Sequence, residues 1–211
     1  MTIRLNGATA GYVELNAPDS AGSNTLTLPN GNGTAGQYLQ TAGTSGVLSW
    51  QTVTIPDNLT IGTAADATGQ GSITYSSIPS GTKRITLLVS DLVMTASSYR
   101  PTVRIGSGGS TVSTGYSSRS NYNTVGADMT NGFELYFWNT ISPGLSAKMS
   151  LENIDGNTWV SSHVGASYGW STVQYGGGHI TLAGTLDTIE LTTTSTGTFA
   201  QGTVNVIYEA A

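Results

Sequence analysis

The sequence predicts an all-β protein: a small N-terminal β segment followed by a jelly-roll-like antiparallel β-sandwich. Apolar and polar residues alternate with period two in run after run, the signature of half-buried strands, because successive side chains point to opposite faces. Clusters of Gly, Asn, Ser and Pro interrupt these runs at short intervals, as tight turns require. No window shows an amphipathic, capped helix.

Composition narrows the class further. Only 9% of the 211 residues are charged, against roughly 25% in an ordinary globular domain. Gly (28 residues), Ser, Thr and Asn fill the gap, yet a hydrophobic fraction of 37%, rich in β-branched and aromatic types, argues against disorder. The net charge is −5, and the seven basic residues are scattered, with Lys83-Arg84 the only adjacent pair. That distribution speaks against a nucleic-acid partner, since backbone affinity comes from clustered Lys and Arg. No apolar run approaches the ~18 residues of a membrane span, so no membrane insertion is expected. The opening Met-Thr-Ile-Arg-Leu-Asn lacks the charged and apolar regions of a secretory signal. Absence of Cys excludes disulfides and thiolate metal sites. No cofactor or metal is expected, and the surface suits a protein assembled in a cytoplasm that later meets the outside.

Residues 1–50 read as short strands at 2–5, 12–15, 24–28, 37–40 and 46–50. Asn6-Gly7 and Pro29-Asn30-Gly31-Asn32-Gly33 form corners, because Pro lacks the ladder N–H and Asn-Gly favours positive φ. These strands are too thin to enclose a core, so their partners are expected to be further copies of the chain. Residues 1–55 are therefore assigned as an attachment and trimerisation segment, 56–70 as a linker, and 71–211 as the sandwich; the connector over 51–70 is expected to contain one or two brief strands.

Beyond residue 71 about ten strands are expected, at the spacing of a sandwich or barrel. Residues 83–94 are the strongest: Ile85, Leu87 and Val89 point one way, Arg84, Thr86 and Ser90 the other. After Asp91 the phase breaks, which predicts a bulge. Further strands are expected at 72–78, 102–105, 112–116, 133–138, 145–154, 158–167, 172–175, 179–182, 188–192 and 203–208. Residues 117–131 read as a polar loop. Gly106-Ser107-Gly108-Gly109 and Gly176-Gly177-Gly178 lie between strand-like runs rather than opening a helix, so both read as hairpin turns, not phosphate loops.

Catalytic chemistry finds little support. His163 and His179 sit in no nucleophile or metal-ligand spacing and read as surface or hydrogen-bonded structural residues. A glycan-cleaving site needs two carboxylates roughly 5–10 Å apart. Glu134, Glu152, Asp155, Asp187 and Glu190 are available but read as solvated sheet-face groups, so no catalytic residue is assigned. The aromatic residues point elsewhere. Of 10 Tyr and 4 Trp, Tyr116, Tyr122, Tyr168, Trp170 and Tyr175 lie among Ser, Gly, Asn and Thr. Such rings offer an apolar face with a polar handle, suited to sugars or protein surfaces. Arg119, Asn121 and Asn123 place directed hydrogen-bonding groups beside Tyr116 and Tyr122. The candidate ligand-binding set is Tyr116, Arg119, Tyr122, Tyr168, Trp170 and Tyr175, with packing at sandwich ends or between subunits as the competing role.

The N-terminal quarter resembles a segment of phage tail fibres and related virion proteins, especially of cyanophages and other marine phages. The resemblance rests on Gly11-Tyr12-Val13-Glu14-Leu15, Ala17-Pro18, Ala21-Gly22-Ser23-Asn24-Thr25-Leu26-Thr27-Leu28-Pro29, Gly36-Gln37-Tyr38-Leu39-Gln40 and Leu48-Ser49-Trp50. The remainder, from Ile78-Pro79-Ser80-Gly81 onward, is similar in style to C-terminal domains of such fibres. The resemblance implies a homotrimeric virion protein, joined to other virion proteins through its N-terminal segment and contacting a host-surface glycan or protein through its sandwich. Segments of this kind often recur in tandem, whereas one copy is present here and there is no coiled coil. A short fibre, fibre tip or attached appendage fits better than a long fibre. The alternatives are a head decoration, head fibre or baseplate adaptor that makes only virion contacts, and last a glycan-degrading tailspike-type enzyme.

Overall fold

The structure is a computed structural model that describes residues 3–16, 19, 22–23, 25–41, 46–52, 58–96, 99–122, 125–135, 144–167 and 172–210. The chain divides into two compact units, Met1–Pro56 and Asp57–Ala211. Among the described residues there is no helix.

In the first unit, β1 (Ile3–Asn6) pairs antiparallel with β2 (Tyr12–Leu15), and β3 (Gln37–Thr41) with β4 (Leu48–Thr52). Residues 24–28, expected as a strand, contribute a single parallel bridge from Thr27 to Val47. The Trp50 ring anchors the corner below it: its indole N–H donates to Gly31 O at 2.8 Å, and a Cβ on Gly33 would meet the ring at 2.6 Å. None of the described residues of this unit is buried. Direct pairing of Ile3 with Leu15 and of Leu5 with Val13 puts all four on one face of the β1–β2 hairpin, each more than half exposed. The opposite face carries Arg4, which lies 4.0 Å over the Tyr12 ring and 3.6 Å from Glu14.

The second unit is a two-sheet sandwich. Its strands are β5 (Leu59–Ile61), β6 (Ala65–Asp66), β7 (Ser72–Tyr75), β8 (Thr82–Met94), β9 (Pro101–Ser107), β10 (Ser110–Thr111), β11 (Ser117–Tyr122), β12 (Val125–Met129), β13 (Phe133–Glu134), β14 (Leu145–Asp155), β15 (Thr158–Ser167), β16 (Thr172–Thr181), β17 (Thr188–Thr193) and β18 (Phe199–Ala210). The larger sheet runs β12-β11-β16-β15-β14-β8-β18-β5, with β6 also on β18. The smaller runs β10-β9-β17-β7, with β13 also on β9. One apolar core joins them: Ile73, Val103, Ile105, Ile189 and Leu191 from the small sheet meet Ile85, Leu87, Met149, Leu151, Val204 and Val206 from the large one.

The bulge expected in β8 is present. The register against β14 shifts between the Leu92–Leu145 and Val89–Ala147 pairs, and Asp91 adopts φ 51°. Its carboxylate accepts a 2.7 Å bond from the Gln201 side chain, which holds this costly backbone in place. Gly108 and Gly109, both at positive φ, close a tight β9–β10 hairpin as expected.

Residues 51–70, read as a connector containing one or two brief strands, supply β5 and β6, whose backbone groups pair with β18. Three expectations are corrected. Residues 112–116 form no strand; they descend to bury Tyr116. Within residues 117–131, read as a polar loop, β11 and β12 pair with each other, hidden because small polar residues occupy both faces of β11 and leave no apolar period. Gly176-Gly177-Gly178 is no turn but the middle of β16, with none of the three at positive φ.

Candidate functional site

The β11–β12 hairpin, β16 and β15 build an outward face that carries Arg119 and Tyr175 of the candidate residues. Pairing register places Asp128, Arg119, Gly177 and Ser162 in one cross-strand row, and Gly126, Asn121, Tyr175 and Val164 in the next. Directly paired residues share a face, so these rows form one lattice. Gly177 brings no side chain to it. Along β16 it is flanked on the same face by Tyr175 and His179, and the result is a trough.

A groove of about 460 Å³ occupies that region, lined among others by Ser117, Arg119, Asp128, Gly177 and His179, with Tyr116 at its base. Arg119 is held in position. Its Nη1 donates to Asp128 Oδ1 at 2.7 Å and its Nε to Asn121 Oδ1 at 3.2 Å. Asn121 lies flat because its partner is Gly126, where a Cβ would coincide with Asn121 Oδ1. Both ends of the Arg119–Asp128 pair are exposed, so the pair adds little to stability. Its effect is to present a planar donor and a carboxylate acceptor side by side.

The sequence-derived candidates separate. Arg119 and Tyr175 lie on the outward lattice, and Tyr175 is half exposed. Tyr122 pairs with buried Gln174, which places it on the inward face, away from Arg119. Tyr116, expected in a ligand loop, is a core residue, 2% exposed. Its hydroxyl accepts from the Ile105 N–H at 2.8 Å and lies 3.1 Å from Val112 O, and its ring meets Phe133 edge-on at 4.9 Å. Burial pushes its phenol up to about 12. Tyr168, Trp170 and Asn123 lie outside the described residues.

The inward face beneath the trough is unusual for a sandwich. Ser120, Ser161, His163, Ser167 and Gln174 are buried there rather than apolar residues. His163 Nε2 lies 3.4 Å from Ser120 Oγ, while its Nδ1 and Ser161 Oγ have no partner among the described residues. Burial lowers the His163 imidazole to about 4. His163 is thus a buried structural histidine, and His179 an exposed one that lines the groove.

The carboxylates are also redistributed. Glu134, expected as a solvated group, is 2% exposed and pairs with Arg100 at 3.2 Å. Burial raises its carboxyl above the ordinary value, with Arg100 opposing. Glu152 sits in the other sheet, 3.6 Å from Arg84, which also pairs with Glu209. Asp187 accepts the Gly109 N–H and the Thr188 hydroxyl, bonds that lower its carboxyl and tie down the β9–β10 turn. Glu190 accepts from Thr111 at 2.8 Å.

Sequence reasoning missed Asp128 and Gly177. Asp128 was masked by the loop reading of its hairpin, and Gly177 by the turn reading of its tract. The only available signal was the alternation Ser117, Arg119, Asn121 against Ser118, Ser120, Tyr122, which carries no hydrophobic contrast. The chain has no significant match among family models, curated proteins or solved structures.

Proposed function

We propose that the chain is a structural protein of a bacteriophage virion, a fibre-type appendage that assembles as a homotrimer and attaches to the host surface through its C-terminal sandwich. The observation that supports it most is the β1–β2 hairpin. Ile3, Leu5, Val13 and Leu15 form a continuous apolar face that nothing described in its own unit covers. A lone two-stranded hairpin is marginal in water, and one that exposes such a face is built to be covered by other copies or by virion proteins. The segment also carries the fibre resemblance.

The wiring of the second unit favours a jelly roll. The chain passes back and forth between sheets, giving β7-β17-β9-β13 on one side and β8, the β14–β16 meander, β11 and β12 on the other. Such alternation between sheets supports a jelly-roll-like reading, with a meander where the simplest form has one strand. The β-rich edges and sparse charge suit a protein that lives outside the cell, where three weak sites held together give firm attachment by avidity.

Light scattering should give the mass of three 21.7 kDa chains, and Leu5→Asp with Leu15→Asp should return a monomer. A monomeric wild type would sink the assembly. Fluorescent trimer should adhere to host cells; retention only on particles stripped of this protein would instead favour a head decoration or adaptor. Release of reducing sugar ends, lost in Glu152→Gln, would establish the enzymatic alternative.

A further inference from the structure

We propose that the groove over Gly177 is a saccharide site selective for uncharged sugars bearing adjacent hydroxyls. This deepens the attachment reading, and depends on it for biological role but not for binding.

Shape comes first. On the outward face of β16, Gly177 is the one position between Tyr175 and His179, and its cross-strand neighbours are Arg119 and Ser162. Gly177 brings no side chain to this face, which leaves it open there. The groove lined by Gly177 with Ser117, Arg119, Asp128, Met129 and His179, about 460 Å³, lies within the range of small-ligand sites.

Chemistry follows from the pair beside it. A sugar hydroxyl both donates and accepts, so two adjacent hydroxyls are met by a donor and an acceptor held next to each other. Arg119 and Asp128 are such a pair, 2.7 Å apart, with the guanidinium plane further fixed by Asn121 at 3.2 Å. Because Asp128 is 81% exposed, its carboxylate remains accessible beyond its bond to Arg119. Tyr175, half exposed on the same face and directly opposite Asn121, stands one row beyond the groove's lining and offers an apolar surface to the C–H face of a sugar ring that extends from it.

Charge decides the class of sugar. Arg119 and Asp128 cancel within the groove, and the chain as a whole carries −5. An anionic glycan would meet a compensated arginine and a repulsive field, whereas a neutral hexose meets neither penalty. One shallow groove of this kind binds weakly, in the millimolar range for a short oligosaccharide.

The test is a titration of the full-length protein by amide NMR with neutral manno- and galacto-oligosaccharides, and in parallel with oligogalacturonate as the anionic probe. Shifts of the Gly177, His179 and Arg119 amides by a neutral probe are expected. Asp128→Ala, at an exposed position, should weaken that binding about tenfold. Asp128→Asn should leave Arg119 uncompensated and move the preference toward oligogalacturonate. Wild-type preference for oligogalacturonate, shifts clustered elsewhere, or no shift with any neutral probe would each overturn the site. Host-cell adhesion that survives Asp128→Ala would remove the groove but keep attachment; sugar binding without cell adhesion would do the reverse.

Discussion

The imidazole of His163 on β15 reaches across the bare backbone of Gly176 on β16 to Ser120 on β11, placing Nε2 3.4 Å from Oγ. A Cβ on Gly176 would stand 2.5 Å from His163 Cε1, so glycine on the middle strand is what allows two residues separated by a strand to meet.

That arrangement makes stability depend on pH. Burial holds the folded imidazole near 4, below its ordinary 6.5, so the unfolded chain binds the proton more readily. The contribution is complete above about pH 6.5 and is lost as pH falls toward 4, up to about 3 kcal/mol. Urea midpoints at neutral and acidic pH should show a larger acid loss for wild type than for His163→Gln. Parallel losses in both proteins would contradict it.

Gly176→Ala should destabilise by about 1–3 kcal/mol, because the new methyl meets the imidazole and the Arg119 backbone in a packed sheet. Removing the ring as well should recover part of that loss, so the double variant with His163→Ala falls short of the sum of the singles. Full additivity in chemical denaturation would show that the ring is not what the methyl strikes.

Glu134 titrates in the opposite sense. Burial raises its folded value above 4.5, so the stability it contributes is present in full below that value and is lost as pH climbs through the raised one. Arg100, 3.2 Å away, limits the loss without abolishing it. Thermal melts of wild type and Glu134→Gln should therefore shift in favour of the glutamine protein as pH rises from below 4.5 through the raised value. A shift toward wild type as pH rises would mean that the ion pair outweighs the burial.

Tyr116→Phe should cost about 1–3 kcal/mol, since it leaves the Ile105 N–H without its 2.8 Å acceptor inside the core while keeping the ring against Phe133. Unchanged stability in guanidinium would assign the hydroxyl no structural part.

The candidate site was legible in part. Arg119 and Tyr175 stood out as an arginine and an aromatic among small polar residues, and their positions on paired strands bring them to one face. Tyr116 looked the same by composition but is buried, because residues 112–116 turn inward after the β9–β10 hairpin. Asp128 and Gly177 had no signature at all: strands whose two faces are both polar show no period, and three glycines read as a turn wherever they occur.

By itself the sequence determined the all-β class, the long core strands and the bulge at Asp91, because these follow from alternation with period two and from where that alternation fails. It also marked the first 50 residues as too thin to enclose a core, which Ile3, Leu5, Val13 and Leu15, each more than half exposed, display. Only the tertiary structure decided which residues become neighbours. Strand order joins β11 to β16 across more than fifty residues of chain, and register sets which side chains share a face. Neither is encoded locally, since pairing partners are chosen by the packing of the whole sandwich.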